Sequence, residues 1–345
     1  MSIIGRPLIT GSSGGGSATL ITKSITANGT YNASSDNADG YSSVEVAVPS
    51  AEDEIITRTI SGVYENSRVT TVGSYAFYSC ASLTGASFPQ CASIEACAFY
   101  NCSSLTTLSF PVCTHIRSSA FYSCVSLTTA SFPSCVGVGS YAFASCSNLT
   151  TISFPVCTGL SSYAFQSCSA LTAAIFPKCK TIQAGAFNGC YNISIISFPV
   201  FSGTIPVNTF LRCSSIVDAI FPSCTGVYGS VFSGCTNLTN VSLPICGNVS
   251  SNAFRDCASL TTLSLPKCSI ILGSAFQNCV RLVSLYLMST SVCKLSASNA
   301  FTSTPIGGYS TVAGQYGSVF VPSSLLASYK AATNWTLISS RIVGV

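Results

Sequence analysis

Charge is what this chain of 345 residues has least of: Lys, Arg, Asp and Glu together make up 7%, against about a quarter in ordinary soluble domains. Hydrophobic residues reach 48%, so contact with water falls to Ser, Thr, Asn and Gly, a hydroxyl surface and not an ionic one. The formal net charge is +4 and no run of Lys or Arg occurs. Counterion release at phosphates then has little to act on, and nucleic acid is not an expected partner. No stretch of about 18 uninterrupted apolar residues is present either, so the high hydropathy is assigned to a buried core and no membrane insertion is expected. Residues 1–20 carry an early Arg but no apolar segment of about seven or more residues ahead of a small-residue cleavage site. They are read as a flexible Gly/Ser-rich leader, without a secretory signal.

The groups that do chemistry are equally sparse. General acid and base work needs a titratable group held in a pocket, yet within the repeated region the carboxylates are Glu95, Asp218 and Asp256 and the single imidazole is His115. These are scattered, and Cys97 and His115 fall at different phases of the repeat, so no nucleophile with its base and no carboxylate pair is expected. The chain is therefore read as not an enzyme. Zinc requires close ligand pairs such as two C-x-x-C units, which are missing, so neither metal nor other cofactor is expected. Ser34 to Gly40, SSDNADG, resembles part of a calcium loop, but Val46 stands where a bidentate Glu should close it. A tight turn at Asp39 and Gly40 accounts for it. The run from Gly11 to Ser17 lacks the Lys of a phosphate loop and reads as a linker.

What is present is a repeat. The Phe of an AF peptide recurs at 77, 99, 121, 143, 165, 187, 210, 232, 254, 276 and 301, with Thr209 and Val231 replacing Ala. A Cys follows that Phe by three in nearly every copy, and then comes a segment such as SLTTLSFPVC at Ser104 to Cys113. Leu105, Leu108 and Phe110 form L-x-x-L-x-L, and Cys113 takes the Asn/Cys slot of a leucine-rich repeat. Alternation from Thr107 to Phe110 predicts a strand with one buried face, ended by Pro111 because proline cannot donate to a ladder. One coil cannot bury its own apolar face, so coils must stack. The predicted fold is a right-handed leucine-rich-repeat solenoid of about 10 to 11 coils over residues 71–301, with parallel strands on the concave face. The recurring Phe should form a buried column on the other side.

Of 20 cysteines, one column runs Cys80, Cys102, Cys124 onward and another Cys91, Cys113, Cys135 onward. Within a coil a whole strand separates the two, beyond the reach of a disulfide. Phe201 fills the Cys slot in one coil, so the slot is apolar and the thiols are read as reduced small hydrophobes. Cys97 stands outside both columns, in a slot held elsewhere by Tyr75, Ser119, Tyr141 and Asn252, and is expected to be exposed.

Outside the repeats, residues 21–50 alternate like a small β-hairpin module and 51–70 serve as an N-terminal cap, since an open end exposes coil interior. Residues 302–345 form an α/β C-terminal cap: a strand SVFVP, a helix over SSLLASYKAATNW capped by Ser323 or Ser324, and a closing strand RIVGV. Trp335 is expected to plug the last coil.

The unit C-x-x-L-x-x-L-x-F-P-x-C with I-x-x-x-A-F-x-x-C, at Cys102 to Cys124, resembles the BspA-type leucine-rich repeat of bacterial and protozoan surface proteins. The ending VPSSLLASYKAATNW with RIVGV is similar to the C-terminal segment of such proteins from gut Firmicutes and their prophages. The resemblance implies adhesion or binding of a protein or glycan at a cell surface, or alternatively a structural or receptor-binding part of a phage particle. It brings no catalytic residues. The outward strand positions point to a place for binding: Thr and Ser fill them in the early coils, whereas Ile175, Ile195, Asp218 and Ile220 fill them in coils five to seven, beside the one 23-residue coil. Such a patch suits a protein ligand. Alternatively, drifting repeats tolerate β-branched residues on an open sheet.

Overall fold

A computed structural model describes residues 8–11, 19–22, 44–46, 62–65, 69–309 and 316–345. It divides into two compact units, Met1–Leu171 and Thr172–Val345. Each is a stack of coils, as a leucine-rich-repeat solenoid requires.

In the first unit the predicted strands pair in parallel with the coil period as their register: Gly62–Glu65 with Leu83–Ser87, Leu83–Ser87 with Thr107–Ser109, and Thr129–Ser131 with Thr151–Ser153. Each coil also has a second, very short strand that the sequence pattern did not reveal. Val69–Val72, Ser93–Ile94, His115–Ile116, Gly137–Val138 and Gly159–Leu160 form a second parallel ladder. Two residues are too few for alternation to register as a periodicity. Ahead of this ladder, Val44–Val46 pairs with Val69–Val72, and Leu8–Gly11 pairs antiparallel with both Val44–Val46 and Thr19–Thr22. The expected boundary at residue 20 thus falls inside a strand, and the run read as a linker joins two strands. The Asp39 and Gly40 turn, with the calcium-like stretch around it, lies outside the described residues, as does most of the 51–70 cap.

The second unit repeats the scheme. Ala173–Ile175 pairs with Ile195–Ser197, Asp218–Ile220 with Asn240–Ser242, and Thr262–Ser264 with Ser284–Tyr286. The short strands Gly203–Ile205, Cys224–Val227, Asn248–Val249, Ile270–Ile271 and Lys294–Leu295 form the other ladder. The extra residue of the long coil is absorbed as a bulge at Gly203, whose φ of 103° only glycine meets without strain.

The core is built of columns in which each residue meets its own copy. Phe77, Phe99, Phe121, Phe143 and Phe165 stack face to face, with centroids 4.9, 5.1, 5.1 and 5.3 Å apart. The Phe before each strand-ending proline forms a second column, Phe88, Phe110, Phe132 and Phe154. Its rings meet the first column edge-on, as Phe143 and Phe154 do at 70°. Stacked and edge-on pairs are both favoured ring arrangements, each adding roughly 0.5–1.5 kcal/mol beyond area burial. The second unit has a column of its own, Phe187, Phe210, Phe232, Phe254, Phe276 and Phe301.

The cysteines are free thiols, all buried except Cys97. They do more than fill space. Cys102, Cys124, Cys146 and Cys168 each donate through Sγ to the carbonyl of the ladder Phe one coil back, at 3.0 to 3.1 Å. Those of the other column donate two residues ahead in their own coil, as Cys113 does to His115 and Cys135 to Gly137. The thiol is the smallest side chain that fills an apolar slot and still satisfies a carbonyl.

Between the two ladders the backbone alternates into positive φ twice per coil, at Tyr75 and Ser79, Cys97 and Asn101, Ser119 and Ser123. This turns successive amides along the stack, so that Phe77, Phe99 and Phe121 donate to Ala98, Ala120 and Ala142 of the next coil at 2.7 Å. Gly185 and Gly189 hold the same two positions in their coil.

At the C-terminus Ser318–Val321 joins the coil strands, pairing with Ser284–Tyr286 and with Ile342–Gly344. The helix is shorter than expected, Leu326–Ala331, and a 3-10 turn Ser323–Leu325 precedes it. Neither Ser323 nor Ser324 caps it: both stand inside that turn, and Pro322 and Leu325 occupy the cap positions without a side-chain bond. Trp335 is fully buried, packs on Tyr329 and Phe301, and donates Nε1 to the Cys293 carbonyl at 2.7 Å. It does plug the last coil.

Burial pushes the column thiols up from their ordinary value of 9.0, Cys91 and Cys157 to about 11 and Cys135 and Cys146 to about 12. Because the folded values are raised, the unfolded chain releases these protons first, so stability is full below pH 9 and is lost as pH climbs towards 11 and 12. Thermal unfolding under reductant should show a Tm level up to about pH 8.5 and falling steeply from about pH 9.5. A Tm unchanged at pH 11 would contradict the buried columns.

Candidate ligand-binding face

Three strands of the second unit carry the candidate residues: Ala173–Ile175, Ile195–Ser197 and Asp218–Ile220. Along each, the middle side chain turns inward and its two neighbours turn out, the period-two consequence of an extended backbone. Ile175, Ile195 and Ile220 are exposed at 51, 56 and 52%, where the sequence pattern places them. The register sorts them into two rows. Ile175 pairs with Ser197 and Ile220 with Ser242 in one row; Ile195 pairs with Ala173, and Asp218 with Asn240, in the other. Ile175 and Ile195 are therefore diagonal, not lateral, neighbours, and Ile220 lies on the next strand along. Between Ile195–Ser197 and Asp218–Ile220 the described residues show no ladder. The same break recurs between Asn240–Ser242 and Thr262–Ser264, so it is a general trait of these short strands; what sets the patch apart is that it also spans the 23-residue coil.

The row of Ile175 and Ile220 ends in a feature absent from the sequence reading. Ser264 pairs with Tyr286 and Tyr286 with Phe320, and these two half-buried rings stack 4.6 Å apart. Phe320 belongs to the C-terminal strand, beyond the loss of period, so its row could not be inferred. Tyr286 stands where the other coils keep Ser or Ile, and that was the available signal.

The ionisable groups stay apart. Glu95 accepts from Ser93 and faces Arg117 at 3.9 Å, an exposed pair worth little. His115 contacts the Thr114 hydroxyl through Nδ1. Asp256 accepts from Asn278 Nδ2 at 2.7 Å. Asp218 stands beside isoleucine, without a second acid. Among the described residues no three His, Cys, Asp or Glu side chains cluster to hold a metal. A groove of about 410 Å³ beside the C-terminal cap is lined by Leu295, Asn334 and Trp335 with Lys294 at its edge, and it brings no acid and base together.

Cys97 differs from its expectation. It is half-buried rather than exposed, in a positive-φ position, and burial pushes its thiol up while a hydrogen bond with Tyr75 opposes the shift. It does not meet His115. Treatment of the native protein with a thiol reagent should label one cysteine ahead of the rest, at a rate rising through pH 9, and Cys97→Ser should abolish that fast phase. Equal reaction of several thiols in the native state would show the columns to be open.

A family model described as BspA type leucine rich repeat region matches in six copies, over residues 70–194, 158–283 and 203–310, which is more than half of the chain. Among solved structures, the chain is similar to a leucine rich cell surface protein from Faecalibacterium prausnitzii A2-165, with 21% identity over 93% of this chain and 90% of that one and a TM-score of 0.49. A leucine-rich repeat protein from Bacteroides ovatus shares 18% identity over 89% and 96%, with a TM-score of 0.41. A pneumococcal vaccine antigen shares 14% over 88% and 92%, with a TM-score of 0.45. No curated protein matches in sequence.

Proposed function

The chain belongs to the BspA-type leucine-rich-repeat family, and from that premise we propose that it is a non-catalytic binding or adhesion protein that acts at a cell surface and captures a protein ligand through the isoleucine face of its second unit. The observation that carries this reading is the exposure of Ile175, Ile195 and Ile220 by half or more, on strands whose counterparts Thr107, Ser109, Thr129 and Ser131 are hydroxylic. Covering what remains exposed of the three would stabilise a complex by roughly 3 kcal/mol. Asp218, in the row of Ile195, supplies one carboxylate to orient a partner, and the aromatic pair Tyr286 and Phe320 extends the row of Ile175 and Ile220. A cluster of apolar anchors with a polar surround is the arrangement that dominates binding at protein interfaces. A cell-surface location accords with the leucine rich cell surface protein from Faecalibacterium prausnitzii. No helix among the described residues is long and apolar enough to cross a membrane.

The test is a binding screen of the full chain against purified matrix and serum proteins, repeated with the triple variant Ile175→Ser, Ile195→Ser, Ile220→Ser. Since these side chains are exposed, Tm should hold while affinity for a captured protein falls by at least about tenfold. Unchanged capture by the triple variant would sink the proposal.

A further inference from the structure

Tyrosine is distributed unevenly over the turns. In the first unit, five successive coils each place at least one Tyr in one of two slots, two residues before or one after the ladder Phe: Tyr75 with Tyr78, then Tyr100, Tyr122, Tyr141 and Tyr163. All six are exposed or half-buried. Tyr78 stacks on Tyr100 at 5.0 Å and 10°, Tyr100 on Tyr122 at 4.8 Å and 7°, and Tyr141 on Tyr163 at 5.0 Å and 12°. Tyr75 leans on Tyr78 at 5.7 Å.

The fold does not require these rings. In the second unit the same two slots hold Gly185, Asn188, Asn208, Leu211, Ser230, Ser233, Asn252, Arg255, Ser274 and Gln277, with no Tyr among them, and the coils stack equally well. Tyr75, Tyr141 and Tyr163 even take positive φ, a conformation that Gly185 in the same slot adopts without strain. Rings kept on the surface in slots that folding leaves indifferent, three of them at positive φ, are accounted for by contact with something else.

The surroundings restrict what that is. Segments 74–79, 96–101, 118–123, 140–145 and 162–167 contain no charged residue, and Glu95 and Arg117, which flank two of them, face each other at 3.9 Å, so the band offers no charge of one sign to an anionic polymer or a charged peptide. Stacked rings present edges and hydroxyls outward, and a phenol both donates and accepts. Rigid tyrosines also lose little entropy on contact. Within each slot, Tyr78 to Tyr122 and Tyr141 to Tyr163, the rings recur once per coil at 4.8 to 5.0 Å, which is close to the length of one pyranose unit in an extended glycan. An extended polypeptide advances about 3.3 Å per residue and shows a given face only every second one, so it drifts out of step within a few coils.

We propose that this tyrosine band binds a neutral polysaccharide laid along the coil stack. The inference rests on the non-catalytic binding reading, but on a different unit and different residues, so the serine variants of the isoleucine face should leave it untouched.

Affinity electrophoresis of the full chain in native gels containing mixed-linkage β-glucan, galactomannan or amylose provides the test, with carboxymethyl cellulose as the charged counterpart. At least one neutral polymer should retard the protein. Tyr100→Ser with Tyr122→Ser should weaken that affinity by at least about tenfold, with a small fall in Tm from the lost ring stacks, while Tyr100→Phe with Tyr122→Phe keeps the rings stacked and should fall in between, with unchanged Tm. The triple isoleucine variant should migrate as the wild type does. The proposal is overturned if no neutral polymer retards the chain, if carboxymethyl cellulose alone does, or if the serine pair binds like wild type. Should the serine pair unfold, the phenylalanine pair decides: retention equal to wild type would also overturn it.

Discussion

Every inward position of this protein must pack against a copy of itself one coil away, and this self-matching governs the rest of the structure. A charge cannot satisfy it, because a like charge would face it in a buried column where neither is solvated. Phenylalanine can, because rings stack on rings and a second column closes edge-on against the first. Cysteine can, because its thiol is small and apolar yet donates to the Phe carbonyl of the preceding coil. The low charge of the composition and its many cysteines therefore share one origin.

Outward positions escape that constraint. Some still serve the stack: Thr106, Thr150 and Ser269 donate their hydroxyls to Thr84, Thr128 and Gly247 one coil back, replacing the ion pairs a more charged surface would use. Where a slot departs from its column without the fold requiring it, the departure is the basis of the binding proposals. Isoleucine in the strand rows of the second unit and tyrosine in the turns of the first are two such departures, and they lie on different units.

Much of the fold was legible in the sequence, because a side chain at constant phase reports a constant environment. The Phe period, the strands ended by Pro111 and its equivalents, the two thiol columns and the exposure of Ile175, Ile195 and Ile220 all follow from spacing alone. What escaped has physical reasons. The second ladder uses strands such as Ser93–Ile94, too short to alternate. The thiol donors are invisible because spacing shows that a slot is apolar but not which carbonyl adjoins it. The expected cap at Ser323 failed because Pro322 starts a tight 3-10 turn before the helix begins. Tyr286 and Phe320 meet through strand pairing across a break in the period, which only three dimensions reveal.

If self-matching columns hold the coils together, a defect should be felt by its two neighbours and fade beyond them. Phe121→Ala, which opens the ring stack between Phe99 and Phe143, is the defect to introduce, at an expected cost of about 3–5 kcal/mol in denaturant unfolding. Hydrogen exchange followed residue by residue should then show faster exchange at the amides of Phe99, Phe121 and Phe143, with Val72 and the turns around Tyr163 close to their wild-type rates. A uniform rise in exchange over residues 69–171, or a stability equal to wild type, would contradict the account.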